Sequence, residues 1–488
     1  MSGWRAVWPP RGGHGPEDED ERDASVMRDQ YDVIVVGGGL GGMTAANRLA
    51  RQGHQVLLVE QHRLLGGLAT YFRRRSHLFD VALHGFPVGM RKSLRKYWGR
   101  EFADRVVQVR SIRFRNPQFE LETTFDTADF TAHLTGTFGV PEERVRAFFG
   151  ALAAMNYYDD RRETTRELFA RFFPGRTDIW RFLLEPITYA NGSGLDEPAI
   201  SYGIVFGNFM SEGVYTFLGG TDTMLSMMGE ELRRGGVDVE TSVRCERILV
   251  EGGRVRACVL NGREVGCRAA VFNGSLPRLV EEVVGCEHFS EPYLSGLGQV
   301  RLSTSSCQVY LGIREGAGLP RVGDLLFDST CPEYDTEALL ARPSSSRTFS
   351  VYYPDIRPGS TGYSVVASMN ARYEDWAGLG REAYEAAKAA MVEEALDAFE
   401  RYVPDIRSRV DYTEAATPLT FERYTGHRRG ATFGTKFEGL DYSMRIGREV
   451  GGLFHVGSVG IIMSGWLGAA NYGVITANEV ERYLPGNA

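Results

Sequence analysis

The sequence predicts an α/β protein with a second, mixed α+β domain, and two observations lead to this fold class. An apolar strand, a glycine turn, a helix and a second strand follow one another over residues 31–60, in "YDVIVVGGGLGGMTAANRLARQGHQVLLVE". Another strand, glycine loop and helix close the chain, in "GGLFHVGSVGIIMSGWLGAANYGVITANEVERYL". Because parallel strands need helical crossovers, both ends of the chain are expected to contribute to one sheet.

Composition narrows the class of protein further. The 488 residues are 43% hydrophobic and 24% charged, which is enough for two sizeable cores. A formal net charge of -8 argues against a nucleic-acid partner, because such binding relies on clustered Lys and Arg. The six cysteines lack CxxC spacing, so we expect reduced thiols and no metal site. Since neither a signal peptide nor a membrane-spanning run of roughly 18 apolar residues is present, we expect a cytoplasmic protein, with peripheral membrane contact left open.

The amino-terminal stretch differs from the rest. Residues 1–30 combine Pro, Gly and the acidic run "EDEDERD", and no apolar period runs through them. Such a segment buries too little apolar surface to offset the entropy of ordering, so the sequence predicts a disordered tail.

The glycine turn "GGGLGG" of residues 37–42 fits the pattern GxGxxG at Gly37, Gly39 and Gly42. In this pattern the first glycine allows a tight turn, the second lets a pyrophosphate approach the backbone, and the third lets helix and strand pack closely. Glu60 ends the next strand at the distance expected for an acid that binds ribose hydroxyls. The unit therefore predicts a dinucleotide site, for a nucleotide without a 2'-phosphate.

The middle of the chain supplies the remaining elements. Residues 85–205 suggest helices rich in aromatic side chains, residues 219–236 a glycine-led helix, and the following segment a β-meander with "EGGR" and "NGRE" turns. Residues 300–415 combine strands with one long helix. We therefore expect a discontinuous nucleotide domain of residues 31–84, 206–299 and 416–488, and a substrate domain of residues 85–205 and 300–415.

Several segments together carry a family resemblance. "EQHRLLGGLATYFRRRSHLFDVALHGF" has a second glycine turn soon after the acid, and "FLGGTDTMLSMMGEELRRGG", "TPLTFERYTGHRRGATFG" and "GLFHVGSVG" follow along the chain. The combination resembles the FAD-dependent amine-oxidase superfamily and, within it, the phytoene desaturase, carotenoid isomerase and retinol saturase group. The resemblance implies a Rossmann-like FAD-binding domain of the glutathione-reductase type with an inserted β-meander, and a mixed α+β substrate domain.

The resemblance also implies which residues hold FAD. The first glycine turn would hold the pyrophosphate, Glu60 the adenosine ribose, and the second glycine turn the phosphate and ribityl side. Cys245 stands where the family usually has valine, and its main chain would meet the adenine. Ser458 is a departure, because the family usually has an aspartate there. The implied cofactor residues are Gly37, Gly38, Gly39, Leu40, Gly41, Gly42, Glu60, Gln61, Gly66, Gly67, Leu68, Ala69, Cys245, Gly457, Ser458, Gly465, Trp466 and Leu467.

The catalytic candidates are weaker than the cofactor residues. His84 in "DVALHGF" would lie near the flavin, or would be a structural histidine. Tyr424 lies with Glu422 and His427 on a loop that resembles a substrate-proximal loop, and any of the three could exchange a proton. Tyr352, Tyr353 and Tyr424 would line an apolar tunnel, or would be ordinary core residues. Arg171, Arg176 and Arg181 in an aromatic segment would contact lipid headgroups, or would belong to a helix pair packed in the second domain.

The implied activity is an FAD-dependent oxidoreduction at carbon-carbon bonds of a hydrophobic, polyene-like small molecule. The resemblance does not choose among desaturation, saturation and cis-trans isomerisation, and the electron partner stays open. One alternative is an amine or protoporphyrinogen oxidase of the same superfamily. Another is a non-catalytic lipid-binding protein on the scaffold of the GDP-dissociation inhibitors.

Overall fold

The computed structural model describes residues 27–155, 163–460 and 462–484. A seven-stranded sheet contains strands from both ends of the chain, in the order β10-β2-β1-β13-β12-β11, with β19 also paired to β13. The pairs that join β10, β2, β1, β13 and β19 are parallel, whereas β11, β12 and β13 form an antiparallel meander. Numbered along the chain, these strands are β1 (Gln30–Val36), β2 (Val56–Glu60), β10 (Asp238–Thr241), β11 (Cys245–Glu251), β12 (Arg254–Leu260), β13 (Arg263–Phe272) and β19 (Leu453–His455).

A second seven-stranded sheet has the order β18-β14-β17-β16-β15-β7-β8, with strands from two separate stretches of the chain, 112–123 and 305–416. Its pairs are antiparallel except β15 with β7. Two smaller sheets pair β3 with β4, and β5 and β6 with β9. These strands are β3 (Tyr71–Arg74), β4 (His77–Asp80), β5 (Phe86–Pro87), β6 (Val106–Gln108), β7 (Ile112–Arg115), β8 (Glu120–Thr123), β9 (Val214–Phe217), β14 (Ser305–Ile313), β15 (Leu325–Ser329), β16 (Ser346–Tyr352), β17 (Ser364–Ala371) and β18 (Val410–Ala416).

Helices connect the strands of these sheets along the chain. Within the described residues they are α1 (Leu40–Ala50), α2 (Gly89–Tyr97), α3 (Arg100–Asp104), α4 (Thr127–Ala132), α5 (Glu142–Ala154), α6 (Thr165–Phe172), α7 (Thr177–Asn191), α8 (Ala199–Met210), α9 (Gly220–Arg234), α10 (Leu276–Arg278), α11 (Glu291–Leu297), α12 (Glu374–Ala377), α13 (Arg381–Glu400), α14 (Ile406–Arg409), α15 (Pro418–Thr425), α16 (Gly439–Glu449) and α17 (Gly465–Tyr483). None of them is both long and apolar enough to cross a membrane.

The first sheet forms as expected from its apolar strands. Every side chain of β2 and most of those of β1 are buried, because helices cover both faces of this parallel sheet. Helices α1 and α17 cross on one face at very short range, since a Cβ on Gly473 would lie 2.4 Å from the carbonyl oxygen of Gly41. This contact sets the first turn of α1 against the middle of α17, and the first residues of both helices line the same cavity.

Asp80 ties the two halves of the molecule together at β4. One carboxylate oxygen accepts a hydrogen bond from the backbone N–H of Thr221 at the start of α9, at 2.8 Å. The other oxygen pairs with the guanidinium of Arg357, which lies between β16 and β17 of the second sheet, at 2.7 Å. The Asp80 side chain is almost fully buried. The aspartate of the "FD" sequence at residues 79–80 is therefore explained by these structural contacts.

Three details correct the expectations from sequence. The predicted tail of residues 1–30 extends too far, because Met27 packs against the core and β1 begins at Gln30; residues 1–26 lie outside the described residues. Residues 85–205 contain the strands β5 to β8 as well as helices. The expected domain boundary at residue 206 falls inside the continuous helix α8, whose buried side chains belong to the core of the second half.

Candidate functional site

A cavity of about 660 Å³ lies between the carboxyl ends of the first sheet and the inner face of the second. In open α/β sheets ligands bind at this edge of the strands. Both glycine turns, the start of α17 and strands of the second sheet contribute to its lining. The cavity therefore joins the expected nucleotide site to the second half of the molecule.

The two glycine turns form one continuous backbone surface at this edge. The N–H of Gly66 donates to the carbonyl oxygen of Gly38 at 2.7 Å, which holds the second turn against the first. Gly37 has a φ of +102°, and a Cβ there would lie 2.3 Å from the carbonyl oxygen of Asn273. A Cβ on Gly42 would lie 2.1 Å from the carbonyl oxygen of Gly37. The backbone is thus too closely packed for side chains, as the GxGxxG pattern requires.

Glu60 is buried at the end of β2, at the rim of the cavity. One carboxylate oxygen accepts from the N–H of Gly38 at 2.8 Å, and the other accepts from the N–H of His62 at 2.9 Å. Both oxygens keep lone pairs, because a carboxylate oxygen can accept more than one hydrogen bond. The side chain is fixed in place and can still accept from ribose hydroxyls.

The carboxy-terminal glycine loop forms the opposite wall. A Cβ on Gly457 would lie 1.9 Å from the carbonyl oxygen of Gly274, and Ser458 beside it lines the cavity. Gly465, Trp466 and Leu467 are the first residues of the 19-residue helix α17 and also line the cavity. Free N–H groups and the positive end of the helix dipole therefore point toward it. Trp466 Nε1 donates to the carbonyl oxygen of Ala82 at 2.9 Å, which fixes its ring.

The structure brings most of the predicted cofactor residues together. Gly38 and Gly42 act through the backbone contacts described above and are absent from the cavity wall, and the others line the cavity. They are Gly37, Gly39, Leu40, Gly41, Glu60, Gln61, Gly66, Gly67, Leu68, Ala69, Cys245, Gly457, Ser458, Gly465, Trp466 and Leu467.

Sequence reasoning missed two residues beside this cradle. Asn273 follows β13, its Nδ2 donates to the carbonyl oxygen of Val456 at 3.1 Å, and its Oδ1 would lie 2.5 Å from a Cβ on Gly39. Arg278, at the end of α10, lines the same cavity and brings a positive charge. The signal was available, because "NGSLPR" follows β13, which pairs in parallel with β1 and so ends at the same edge.

The second half of the cavity is bounded by two different walls. Helices α7 and α8 contribute an apolar wall that includes Ile187, Ile204, Val205 and Phe209. The second sheet contributes Leu325 and Phe327 together with short polar side chains: Ser306, Gln308, Thr348, Ser368 and Asn370. Apart from Glu60, the described residues that line the cavity include no Asp or Glu.

His84 lies where this half meets the cofactor half, and it belongs to a hydrogen-bond network. Its Nδ1 is 2.8 Å from the hydroxyl of Ser350, and its Nε2 is 3.3 Å from both Gln308 Nε2 and the hydroxyl of Ser368. Burial lowers the pKa of His84 to about 4, so its ring is neutral at neutral pH. The histidine thus connects the segment before β5 to the second sheet.

The other catalytic candidates are dispersed. Tyr424 lines the cavity but is 53% exposed, and its carbonyl oxygen is 2.5 Å from His62 Nε2. His427 lines the cavity and is buried, with Nδ1 3.0 Å from the carbonyl oxygen of Ala431, and burial lowers its pKa. Glu422 accepts from the hydroxyl of Tyr373 at 2.6 Å, outside the cavity.

For two tyrosines and one arginine the structure decides between the alternatives that the sequence left open. The hydroxyl of Tyr352 donates to the carbonyl oxygen of Leu83, and Tyr353 is buried beneath Arg321, so both are core residues away from the cavity. Arg181 is fully buried and pairs with Glu185 at 3.1 Å, so it cannot contact lipid headgroups.

The residues present fit FAD. A glycine cradle that excludes Cβ atoms, a buried carboxylate for ribose, and two adjacent helix amino termini are the donors and acceptors that a dinucleotide requires. Arg244 and Arg278 add positive charge along the same cavity. A cradle of this kind at the edge of a parallel sheet, open to a largely apolar chamber, is typical of an FAD-dependent oxidoreductase.

Comparison with known proteins specifies the family. The chain belongs to the flavin containing amine oxidoreductase family, whose sequence profile matches residues 40–439. It is similar to prolycopene isomerase of Daucus carota, with 23% identity over 93% of this chain and 80% of the relative. It is also similar to all-trans-retinol 13,14-reductase of Danio rerio, with 22% identity over 94% of this chain and 87% of the relative.

Solved structures agree with the fold. An oxidoreductase from Methanosarcina mazei matches with a TM-score of 0.67 and 16% identity, over 92% of this chain and 100% of that one. A putrescine oxidase bound to putrescine matches with a TM-score of 0.63 and 14% identity, over 93% and 99% of the two chains. At these identities the likeness shows the fold alone.

Proposed function

We propose that this FAD-dependent oxidoreductase acts on carbon-carbon bonds of a hydrophobic, polyene-like substrate, by desaturation, saturation or cis-trans isomerisation. The observation that carries the proposal is the continuity of the FAD cradle with a chamber whose helical wall is apolar. The relatives named as prolycopene isomerase and all-trans-retinol 13,14-reductase support it, since both names denote polyene substrates.

The finer description of the fold supports the same proposal. We infer a discontinuous FAD-binding domain of the glutathione-reductase type, because the meander β11-β12 extends a parallel sheet at β13. We infer that the second sheet with α4 to α8 and α13 forms the substrate domain. The site of action would be the cytoplasm, at or near a membrane in which such a substrate dissolves.

The residues of the chain have separate roles in this mechanism. When bound, FAD supplies hydride transfer to or from a carbon atom. The cradle and Glu60 hold the cofactor, and the start of α17 presents N–H donors to it. The apolar wall of α7 and α8 binds the hydrocarbon and excludes water. Neutral His84 holds the segment before β5 against the second sheet. Because it is not an imidazolium at neutral pH, His84 would position the site and would not act as a proton donor.

An amine oxidase is the second candidate, because putrescine oxidase shares the fold. A cationic amine needs a carboxylate or an aromatic cage for its charge. Among the described residues that line the cavity, the single acidic side chain is Glu60, which belongs to the ribose end. The chamber therefore favours an uncharged substrate.

The test is product analysis with purified holoenzyme that carries FAD. Isomerisation is tested with cis polyenes and reduced flavin. Desaturation is tested with partly saturated substrates and oxidised flavin, and saturation with all-trans polyenes and reduced flavin. Putrescine and protoporphyrinogen serve as comparison substrates. Turnover of these two without any change in the polyenes would overturn the proposal.

A matched pair of variants tests the chamber itself. Val205→Trp fills the apolar wall and should abolish polyene conversion while FAD stays bound. Glu385→Trp, at an exposed position of α13, should leave conversion unchanged. Full activity in Val205→Trp would show that the substrate binds elsewhere.

A further inference from the structure

The exposed side of α2 carries four cations. Arg91 and Arg95 are one helical turn apart, as are Lys92 and Lys96, and all four side chains are exposed. The opposite side of the helix buries Met90 and Leu94. Like charges at this spacing repel each other, so these pairs lower the stability of the helix. We refer to these four residues as the cationic face of α2.

The cationic face has no ion pair within the described residues, although other exposed arginines do. Arg100 pairs with Asp104 on the next helix, and Arg234 pairs with Glu101 and Glu231, so nearby acids are already bound. Burial and the charge of Glu212 raise the pKa of Tyr215, and the charge of Arg91 lowers it. Glu212 therefore lies on the same side of the molecule as Arg91. One carboxylate does not neutralise four cations, and the face stays positive on a protein whose net charge is -8.

The cationic face lies beside an opening of the cavity. Helix α2 follows β5 directly, and Phe86 and Pro87 of β5 line the cavity. Strand β5 pairs with β9, the strand that comes after α8. On α8, Val205 and the exposed Asn208 also line the cavity, so the cavity reaches the surface there.

We propose that the cationic face of α2 docks this protein onto an anionic lipid bilayer and thereby sets the opening at Asn208 against the membrane. The inference rests on the proposed function insofar as the substrate is hydrophobic and dissolves in the bilayer. Clusters of four or more Lys and Arg on one helical face bind anionic headgroups. An acidic protein is the less favoured occupant, because the opening beside the face is apolar at Val205 and serves a chamber with an apolar wall.

The experiment is co-sedimentation of the full-length holoenzyme with vesicles. Vesicles of phosphatidylcholine alone are compared with an equimolar mixture of phosphatidylcholine and phosphatidylglycerol, at low and at high salt. We expect binding to the anionic vesicles, reduced by salt because the Debye length shortens. Each surface cation contributes roughly fivefold to partitioning, so R91Q/K92Q/R95Q/K96Q should weaken binding by about a hundredfold or more.

A matched control removes the same charge elsewhere. R144Q/R381Q/R445Q/R448Q changes four exposed cations on α5, α13 and α16 and should bind anionic vesicles as the unchanged protein does. With substrate dissolved in detergent, the α2 variant should keep full activity. A folded α2 variant that binds vesicles as well as the control overturns the proposal.

Other occupants of the face give different results. Vesicle binding that appears only after deletion of residues 1–26 would show that the acidic run of residues 17–23 covers the face in the full chain, and it would overturn the proposal. Capture of an acidic protein without vesicle binding would also overturn it. Salt-dependent vesicle binding in a protein that converts no polyene would uphold the docking surface and refute the proposed function.

Discussion

Gly39 shows how much depends on single atoms in the FAD cradle. A Cβ at this position would lie 2.5 Å from Oδ1 of Asn273, so a side chain displaces Asn273 as well as occupying the space in front of the turn. Gly39→Val should therefore deplete bound FAD severely. Glu60→Ala should also deplete it, because the ribose loses a buried acceptor and the N–H of Gly38 loses its partner.

The measurement for both variants is the ratio of flavin absorbance to protein after purification. Gly53→Ala is a useful control, because no atom lies within 4 Å of a Cβ there, although its φ of +95° adds modest strain. Stoichiometric FAD in Gly39→Val would contradict the assignment of the cradle.

Ser458 stands where the family resemblance leads us to expect an aspartate. It lines the cavity next to Gly457, and we expect its hydroxyl to bond the cofactor. A carboxylate would make a charge-assisted hydrogen bond, stronger by about 1 kcal/mol. Ser458→Asp should tighten FAD binding by up to about tenfold, and Ser458→Ala should weaken it modestly. Flavin titration of the apoprotein forms at one salt concentration measures this, and equal affinities would show that residue 458 does not contact FAD.

At the scale of elements, the crossing of α1 and α17 decides the geometry of the site. Gly473 allows the two helices to touch, because a Cβ there would lie 2.4 Å from the carbonyl oxygen of Gly41. Gly473→Val should push the helices apart, lower stability by roughly 2–3 kcal/mol and weaken FAD binding, since both amino termini face the cavity.

Thermal unfolding and flavin retention measure the two effects. Arg482→Ala, at the exposed end of α17, should change neither. Unchanged stability and flavin content in Gly473→Val would mean that the crossing tolerates a wider separation of the helices.

At the scale of the whole molecule, a buried charge pair makes stability depend on pH. Arg181 and Glu185 on α7 are both fully buried, and burial raises the pKa of Glu185 to about 7 despite the charge of Arg181. The unfolded pKa is near 4.5. The folded state therefore binds more protons between these values, and stability falls as pH rises from about 5 to about 8.

Glu185→Gln should flatten this dependence, by up to about 3 kcal/mol between the two ends of the range. Arg181 keeps neutral acceptors in the variant, among them Gln118 Oε1 and the carbonyl oxygen of Cys331, both at 2.9 Å. Denaturant unfolding at pH 5 and pH 8 measures the effect, with Glu287→Gln on the surface as the control. Parallel pH profiles in Glu185→Gln and the unchanged protein would contradict it.

The sequence by itself determined the two glycine turns and the position of Glu60, because the requirements of these features are local. A tight turn requires glycine at residue 37, and the close approach of residue 42 to the carbonyl oxygen of Gly37 requires glycine there as well. Glu60 is placed by the end of the next strand. Only the tertiary structure decided the remainder. Asn273 joins the cradle through parallel pairing of β13 with β1, across more than two hundred residues. Arg181 is buried because Gln118 and Cys331 surround its guanidinium from distant segments. An amphipathic pattern shows which side of a helix is apolar, whereas the neighbours that cover its charges come from the whole chain.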